Sequence, residues 1–250
     1  MLRQLKSQSL KNKETTGGAT TQIMKMLLVL RTPNLRFYAL LMCFAWFSAA
    51  LVYFGISLGT SVLVGNMYWN CFLSGLVEIP AYIANVYLLE RFGRKLPMCI
   101  YQVICSVPLI VIFFIPLLSA SGSDLTIPIV TLTMIAKFGV TAVFSGLHLI
   151  TAEIYPTVVR NAGLGVSSVC ARLAATLSPF FVHLSTVSSS QYQLLIFGSC
   201  GLLSIIVILL MPETADVPLM DTLDDCHLLE GKATKPMDSS AKKDELSAML

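Results

Sequence analysis

Charged residues are scarce in this chain of 250 residues: Asp, Glu, Lys and Arg together make up only 12%. A soluble domain carries about 25% charged residues. Here apolar residues make up 55% of the chain, and the mean hydropathy is +0.76. Such a composition supplies too little polar surface for a soluble protein and predicts a membrane protein.

Clusters that carry catalytic or metal chemistry are also lacking. The chain contains seven cysteines and three histidines, but no pair has the spacing of metal ligands, and there is no phosphate-binding loop or nucleophile with a matching base. We interpret the cysteines of the apolar runs as packing residues. We therefore expect no enzyme and no cofactor, and the net charge of +3 reflects basic loops, with no nucleic-acid partner.

Long apolar runs are abundant, and each is about long enough to cross a bilayer. They are continuous and about twice the length of an outer-membrane barrel strand, which excludes a β-barrel. The sequence predicts an all-α, polytopic bundle of six transmembrane helices over residues 37–212, after a basic segment 1–36 and before a polar, disordered tail 213–250. The six runs are 37–64, 67–89, 96–118, 125–150, 161–187 and 192–211.

Basic residues are confined to one set of connections. Seven Lys or Arg precede the first run, three lie at 91–95 and one is Arg160, whereas the connections near 65, 119–124 and 188–191 carry none. Basic loops of multi-pass proteins face the cytoplasm. This distribution predicts that both termini are cytoplasmic.

Three charged residues, Glu78, Lys137 and Arg172, lie inside apolar runs. A charge at that depth costs several kcal/mol unless it faces protein or water, and it often marks a solute or ion path. Two readings stay open: the three line a cavity, or Glu78 pairs with Lys137 or Arg172 and holds the bundle together. Polar residues at helical spacing extend each position into a stripe: Asn70, Ser74, Tyr82 and Asn85 with Glu78; Thr133, Thr141, Ser145 and His148 with Lys137; Ser168 and Thr176 with Arg172.

The balance of these charges bears on the solute. Two cations against one carboxylate favour a solute that carries a carboxylate, which Arg172 can bind with two parallel hydrogen bonds. A quaternary ammonium at the other end of the solute needs an aromatic cage, and Trp46, Tyr53 and Tyr82 are the candidates by depth.

The cytoplasmic connections contain three motifs: E-R-F-G-R-K at 90–95, A-E-I-Y-P-T-V-V-R-N at 152–161 and P-E-T at 212–214. They gather acidic and basic groups on one membrane face. We expect these groups to form a gate through charge contacts that break and re-form. The predicted gate residues are Glu90, Arg91, Gly93, Arg94, Glu153, Arg160 and Glu213.

These motifs resemble the second half of a major facilitator superfamily transporter. Together with N-C-F-L-S at 70–74, V-E-I-P-A-Y at 77–82, K-F-G-V-T-A at 137–142 and G-V-S-S at 165–168, they resemble solute carrier family 22, the organic cation, organic anion and carnitine transporters, over residues 27–225. The resemblance implies a plasma-membrane carrier that works by alternating access. It also implies that Tyr53 lines the solute path.

One position separates the branches of that family. Its cation transporters typically carry an acid in the fifth helix, whereas the anion and carnitine branches carry an arginine, so Arg172 implies the second group. The segment F-F-V-H-L at 180–184 looks most like the carnitine and zwitterion branch. Lys137 and Glu78 are then a charge pair that the solute or a coupled cation rearranges, with coupling to Na+ or H+ left open.

A complete carrier of this type has about twelve helices in two halves. We therefore interpret this chain as a fragment, a truncated isoform or an incomplete gene model. Its expected partners are a small organic solute, the bilayer and an N-terminal six-helix half. Two alternatives remain: an organic anion or organic cation transporter, and a half-length protein that modulates a full-length carrier without transporting.

Overall fold

The computed structural model describes residues 33–59, 67–118, 126–157, 159–187 and 190–214. These ranges contain six α-helices, and each holds a stretch long and apolar enough to cross a bilayer. The all-α prediction is confirmed. In chain order the helices are α1 (Pro33–Gly59), α2 (Met67–Phe92), α3 (Lys95–Leu118), α4 (Thr126–Ile154), α5 (Arg160–Val187) and α6 (Ser190–Leu210).

Observed and predicted helix boundaries differ by up to five residues, since the run predicted over 37–64 is observed as α1, Pro33–Gly59. The α4 helix ends at Ile154, beyond the predicted end at residue 150, and α2 ends at Phe92, beyond residue 89. A helix satisfies its own backbone hydrogen bonds, so it continues past the last apolar side chain. Most of the predicted basic segment and the tail beyond residue 214 lie outside the described residues.

The helices differ in how much surface they bury within the bundle. The α1 helix packs most extensively along α5, α3 packs between α4 and α6, and α2 packs against α4. In its apolar stretch α1 is 61% buried, whereas α2 and α5 are each only 22% buried. The core therefore forms around α1, and α2 and α5 present broad apolar sides outward.

Small residues allow the closest helix contacts. A Cβ atom on Gly139 of α4 would lie 2.7 Å from the backbone nitrogen of Cys105 and the carbonyl oxygen of Tyr101, both on α3. Gly201 of α6 similarly packs against Ser106 of α3. Close backbone approach is a principal source of helix association in membranes. These two glycines thus fix α3 between its neighbours.

Two exposed prolines interrupt the least buried helices, Pro80 in α2 and Pro179 in α5. Proline has no N–H and leaves a carbonyl one turn earlier without its helical partner. Pro80 follows Glu78 by two positions, and Pro179 follows Arg172 by two turns. Each helix thus lacks one backbone hydrogen bond within two turns of one of its charged residues.

Candidate functional site

Lys137 is almost completely buried, with its side chain 1% exposed, and its Nζ lies 2.9 Å from Oε1 of Glu78. The α4 helix carries the lysine and α2 carries the acid. A buried charge is tolerated only when a partner of opposite sign compensates it. Of the two pairings that the sequence leaves open, the structure contains the one between Glu78 and Lys137.

Tyr53 of α1 completes this cluster. Its hydroxyl donates a hydrogen bond of 2.9 Å to Oε1 of Glu78, and the Lys137 ammonium lies 3.6 Å from the centre of its ring. Ser57, one turn further along α1, accepts a hydrogen bond from the same ammonium. The lysine therefore contacts a carboxylate, an aromatic face and a hydroxyl, and the contacts join three helices.

The acid is the more accessible partner of the pair. The Glu78 side chain is 23% exposed, against 1% for Lys137. Both polar contacts of the acid use Oε1, so Oε2 has no hydrogen-bond partner among the described residues. A solute that approaches this cluster meets the carboxylate and the rim of Tyr53 before it meets the lysine.

Arg172 and Tyr82 lie outside the cluster. Arg172 is exposed on α5, and its guanidinium forms no ion pair within the described ranges. Thr176 follows one turn later, is also exposed, and donates to the Arg172 carbonyl. Tyr82 is 44% exposed on α2. The structure thus brings together Tyr53, Glu78 and Lys137, and it leaves the Arg172 charge uncompensated within the described part of the chain.

The polar stripe of α2 divides between two environments. Asn70, Ser74 and Asn85 are buried inside the bundle, whereas Tyr82 is exposed. The expectation that one stripe lines a cavity therefore does not describe α2 as a whole. Nδ2 of Asn70 and Oδ1 of Asn85 are buried without a hydrogen-bond partner among the described residues.

Sequence reasoning missed two members of the site. Ser57 contacts Lys137, and Phe144 stacks on Tyr53 with ring centroids 5.6 Å apart and an interplanar angle of 14°. Their spacing is the signal that could have found them: Ser57 lies one turn after Tyr53, and Phe144 lies two turns after Lys137.

A second charged cluster lies where α2 ends, α3 begins and α4 ends. The guanidinium of Arg94 forms an ion pair of 2.9 Å with Glu153 and donates a hydrogen bond of 2.7 Å to the Leu89 carbonyl. The Thr214 hydroxyl donates to the other oxygen of Glu153 at 2.6 Å. We call this group, together with Glu213, the charged end.

Glu213 binds the backbone at the start of α3. Its two carboxylate oxygens accept the N–H groups of Arg94 at 2.8 Å and Lys95 at 3.2 Å. The first N–H groups of a helix have no partner within the helix and favour a negative charge. Gly93 precedes them with a φ of 84°, a conformation that glycine adopts readily. The acid therefore caps α3 after a turn that requires glycine.

The other predicted gate residues do not join this cluster. Arg91 donates to the hydroxyl of Tyr87 on its own helix at 2.6 Å, and Glu90 is exposed. The Nε of Arg160 donates to the Tyr155 carbonyl at 3.3 Å and does not reach Glu153. The structure thus gathers Gly93, Arg94, Glu153 and Glu213, and places Glu90, Arg91 and Arg160 elsewhere.

Tyr155 anchors the loop between α4 and α5. Its ring packs on Gly163 of α5, where a Cβ atom would lie 2.5 Å from ring carbon Cδ2. Burial raises the pKa of the Tyr155 phenol, because the phenolate would lose its hydration. The side chain is neutral and acts as a packing group.

The model of the Sugar (and other) transporter family matches residues 3–223. The chain belongs to the sugar (and other) transporter family. The six apolar helices agree with the multi-pass architecture that this membership requires.

Several relatives of this transporter-family chain belong to solute carrier family 22, as the motifs indicated. The chain is 38% identical to mouse "Solute carrier family 22 member 21" over 215 residues, 86% of this chain and 36% of the relative. It is 39% identical to human "Organic cation/carnitine transporter 2" over 203 residues, 81% of this chain and 35% of the relative. It is 35% identical to the Drosophila melanogaster "Organic cation transporter protein" over 242 residues, 96% of this chain and 43% of the relative. The chain thus spans 35 to 43% of the length of these three transporters.

The role of Glu213 as the cap of α3 in this transporter-family chain can be tested by measuring the free energy of unfolding. We expect Glu213→Ala to lower the free energy of unfolding by about 1–2 kcal/mol, because two N–H groups at the start of α3 lose their acceptor. Reversible denaturant unfolding in detergent micelles measures the change. Glu90→Ala, an exposed acid near the same end, is the matched control and should stay within about 0.5 kcal/mol of the wild type. Equal losses in the two variants would contradict the capping role.

Proposed function

We propose that the chain forms one half of a membrane carrier that moves a small zwitterionic solute of the carnitine type by alternating access. Two solute carrier family 22 relatives support the carrier class, and one of them is named as an organic cation/carnitine transporter. The zwitterion rests on the charges of the site.

The observation that carries the proposal is the pairing of Lys137 with Glu78. Because these two charges cancel, the remaining charge of the apolar runs is the exposed guanidinium of Arg172. A planar guanidinium with several donors suits a carboxylate, which it can bind through two parallel hydrogen bonds. Arg172 is therefore the proposed anchor for the anionic end of the solute.

The cationic end of such a solute needs different chemistry. Glu78 offers its unoccupied Oε2, and beside it the Tyr53 ring, which already contacts the Lys137 ammonium and Phe144, offers its rim. A simple cation would leave Arg172 uncompensated, and a simple anion would meet the carboxylate of Glu78. A solute with both charges matches both positions. Tyr82, exposed on α2, is a further candidate for the aromatic wall.

The charged end is the proposed inner gate. The contacts of Arg94 with Glu153 and of Glu213 with the start of α3 join α2, α3, α4 and the residues after α6. Alternating access requires contacts at one membrane face to break while those at the other form. We place this face toward the cytoplasm, since the basic connections lie there.

Uptake of labelled carnitine by the full-length protein that contains this segment tests the anchor. We expect Arg172→Ala to reduce uptake at least about tenfold, since a hydrogen-bonded charge pair is worth about 1.5–3 kcal/mol. Arg172→Lys should restore part of it, because the charge returns without the planar fork. Arg36→Ala removes an exposed cation from α1 and is the control for surface expression. Unchanged uptake in Arg172→Ala would remove the anchor role.

A second function is favoured by the outward apolar sides of α2 and α5, which are buried over only 22% of their apolar stretches. A chain with such surfaces can pair with a full-length carrier and change its activity. Co-expression of the chain with a full-length relative separates the two functions. A modulator changes the uptake of the relative and shows none alone. Competition between carnitine, a simple ammonium and an organic anion then distinguishes the solute classes.

A further inference from the structure

His148 packs at a tilt against Trp46 at the interface of α4 and α1. The ring centroids lie 4.4 Å apart at an interplanar angle of 60°, and the centroids of Phe144 and His148 lie 5.3 Å apart with the ring planes at 81°. Trp46 is only 3% exposed, and its indole N–H donates to the Thr151 hydroxyl at 2.9 Å. The indole is therefore fixed, while the imidazole on its surface is exposed.

The hydrogen bond of the imidazole fixes its tautomer. Nδ1 of His148 lies 2.9 Å from the carbonyl oxygen of Phe144. A carbonyl oxygen only accepts, so Nδ1 carries the hydrogen, and the neutral ring keeps its lone pair on Nε2. Nε2 makes no hydrogen bond to any described residue, and the side chain is exposed. This nitrogen can take up a proton without breaking an existing contact.

The interface of α1 and α4, which we call the wall, already contains one cation over an aromatic ring, and a protonated His148 would add a second. The Lys137 ammonium lies over the ring of Tyr53. His148 follows Lys137 by eleven residues, close to three helical turns and about 16 Å along α4, so the two share one face. Trp46 and Tyr53 are two turns apart on α1. The wall thus has two positions where a cation can meet a ring, and the first is already occupied.

The charged residues of the neighbouring helices lie in contacts or positions of their own. The titratable groups on α1, α2, α4 and α5 and in the connection between α2 and α3 include Tyr53, Glu78, Lys137, Arg94, Glu153 and Arg172. The first three contact one another, and Arg94 is paired with Glu153. Arg172 is exposed on α5. None of them forms a hydrogen bond or ion pair with the His148 imidazole within the described ranges.

We propose that His148 is a proton-binding residue of the solute path. Nε2 takes a proton from water, the imidazolium is held against Trp46, and the wall gains a second positive position for the anionic group of a solute. The role in solute binding rests on the proposed function. The proton uptake itself does not, because it depends only on the contacts of His148.

Fluorescence of the chain in liposomes tests the proton uptake. The chain has two tryptophans, so Trp69→Phe leaves Trp46 as the only indole. Because an imidazolium in contact quenches an indole, emission should fall in a single one-proton step as the pH is lowered. His148→Gln in the same background should abolish the step, and His183→Gln should keep it. A step that persists in His148→Gln, or a flat titration of the parent variant, would overturn the proposal.

Two further measurements test the proposal, one without any substitution and one through solute binding. Nuclear magnetic resonance of isotope-labelled histidine in the unsubstituted chain should show the hydrogen on Nδ1 at high pH and proton uptake at Nε2 on acidification. The opposite tautomer would overturn the proposal without any substitution. In the full-length protein, acidification should lower the KM for carnitine, and His148→Gln should remove this effect. A KM insensitive to pH would overturn the solute-binding role, whereas absent carnitine uptake would refute the proposed function and leave the fluorescence result standing.

Discussion

Replacing Lys137 with methionine is expected to lower the free energy of unfolding by about 3–5 kcal/mol, the typical cost of removing one partner of a buried ion pair. The substitution nearly preserves volume but leaves the Glu78 carboxylate with only the Tyr53 hydroxyl as a donor. Denaturant unfolding of the chain in detergent micelles measures the loss.

A second substitution separates charge from packing. Glu78→Gln combined with Lys137→Met removes both charges, so we expect the double variant to recover most of the lost stability. Arg172→Met removes an exposed cation from an apolar run and should stay within about 0.5 kcal/mol of the wild type. A double variant as unstable as Lys137→Met alone would show that the lysine stabilises through its packing and not through its pairing with the acid.

Gly139→Ala is expected to cost about 1–3 kcal/mol, the usual effect of overpacking a close contact. The added methyl would lie 2.7 Å from two backbone atoms of α3, which cannot move without shifting that helix. Gly165→Ala on α5 is the matched control, since nothing lies within 4 Å of its added methyl. Because alanine favours a helix, this control should gain up to about 1 kcal/mol.

Thermal unfolding in one detergent compares the two alanine variants under identical conditions. Gly75→Ala on α2 serves as a second control, because its position is equally open. A loss in Gly139→Ala no larger than in these controls would mean that α3 and α4 can separate at no cost. The close approach of the two helices would then not be a source of stability.

The helices were predictable because a bilayer constrains the sequence strongly. A spanning segment must be apolar for about 20 residues and must satisfy its own backbone, which leaves few alternatives to a helix. The predicted run 67–89 and the helix Met67–Phe92 accordingly share their first residue. The ends are less constrained, since a helix can continue into charged residues such as Arg91.

The site was predictable only in part, because spacing on one helix does not reveal which helices are neighbours. Spacing placed Glu78, Lys137 and Arg172 on polar faces but could not choose between the two pairings of the acid. The choice depends on α2 packing against α4, a long-range contact. The same reason hid the contact of Ser57 with Lys137, since these residues lie 80 positions apart in the chain.

The charged end shows a different limit. The sequence places Glu213 on the same membrane face as the basic connections and therefore predicts charge contacts with them. In the structure it binds backbone N–H groups at the start of α3, while Arg94 pairs with Glu153. The sequence gives the sign of each charge. Whether an acid binds a basic side chain or the N–H groups at a helix terminus depends on where the helices end.

The contact of Glu213 with α3 also sets a practical boundary for anyone shortening this chain. A cut after Met211 would remove the acceptor of two backbone N–H groups and the Thr214 hydroxyl that binds Glu153. Shortened forms for structure determination should therefore retain residues 212–214, and affinity tags or fluorescent proteins should be joined beyond Thr214. Although these residues follow the last helix, they belong to the folded bundle.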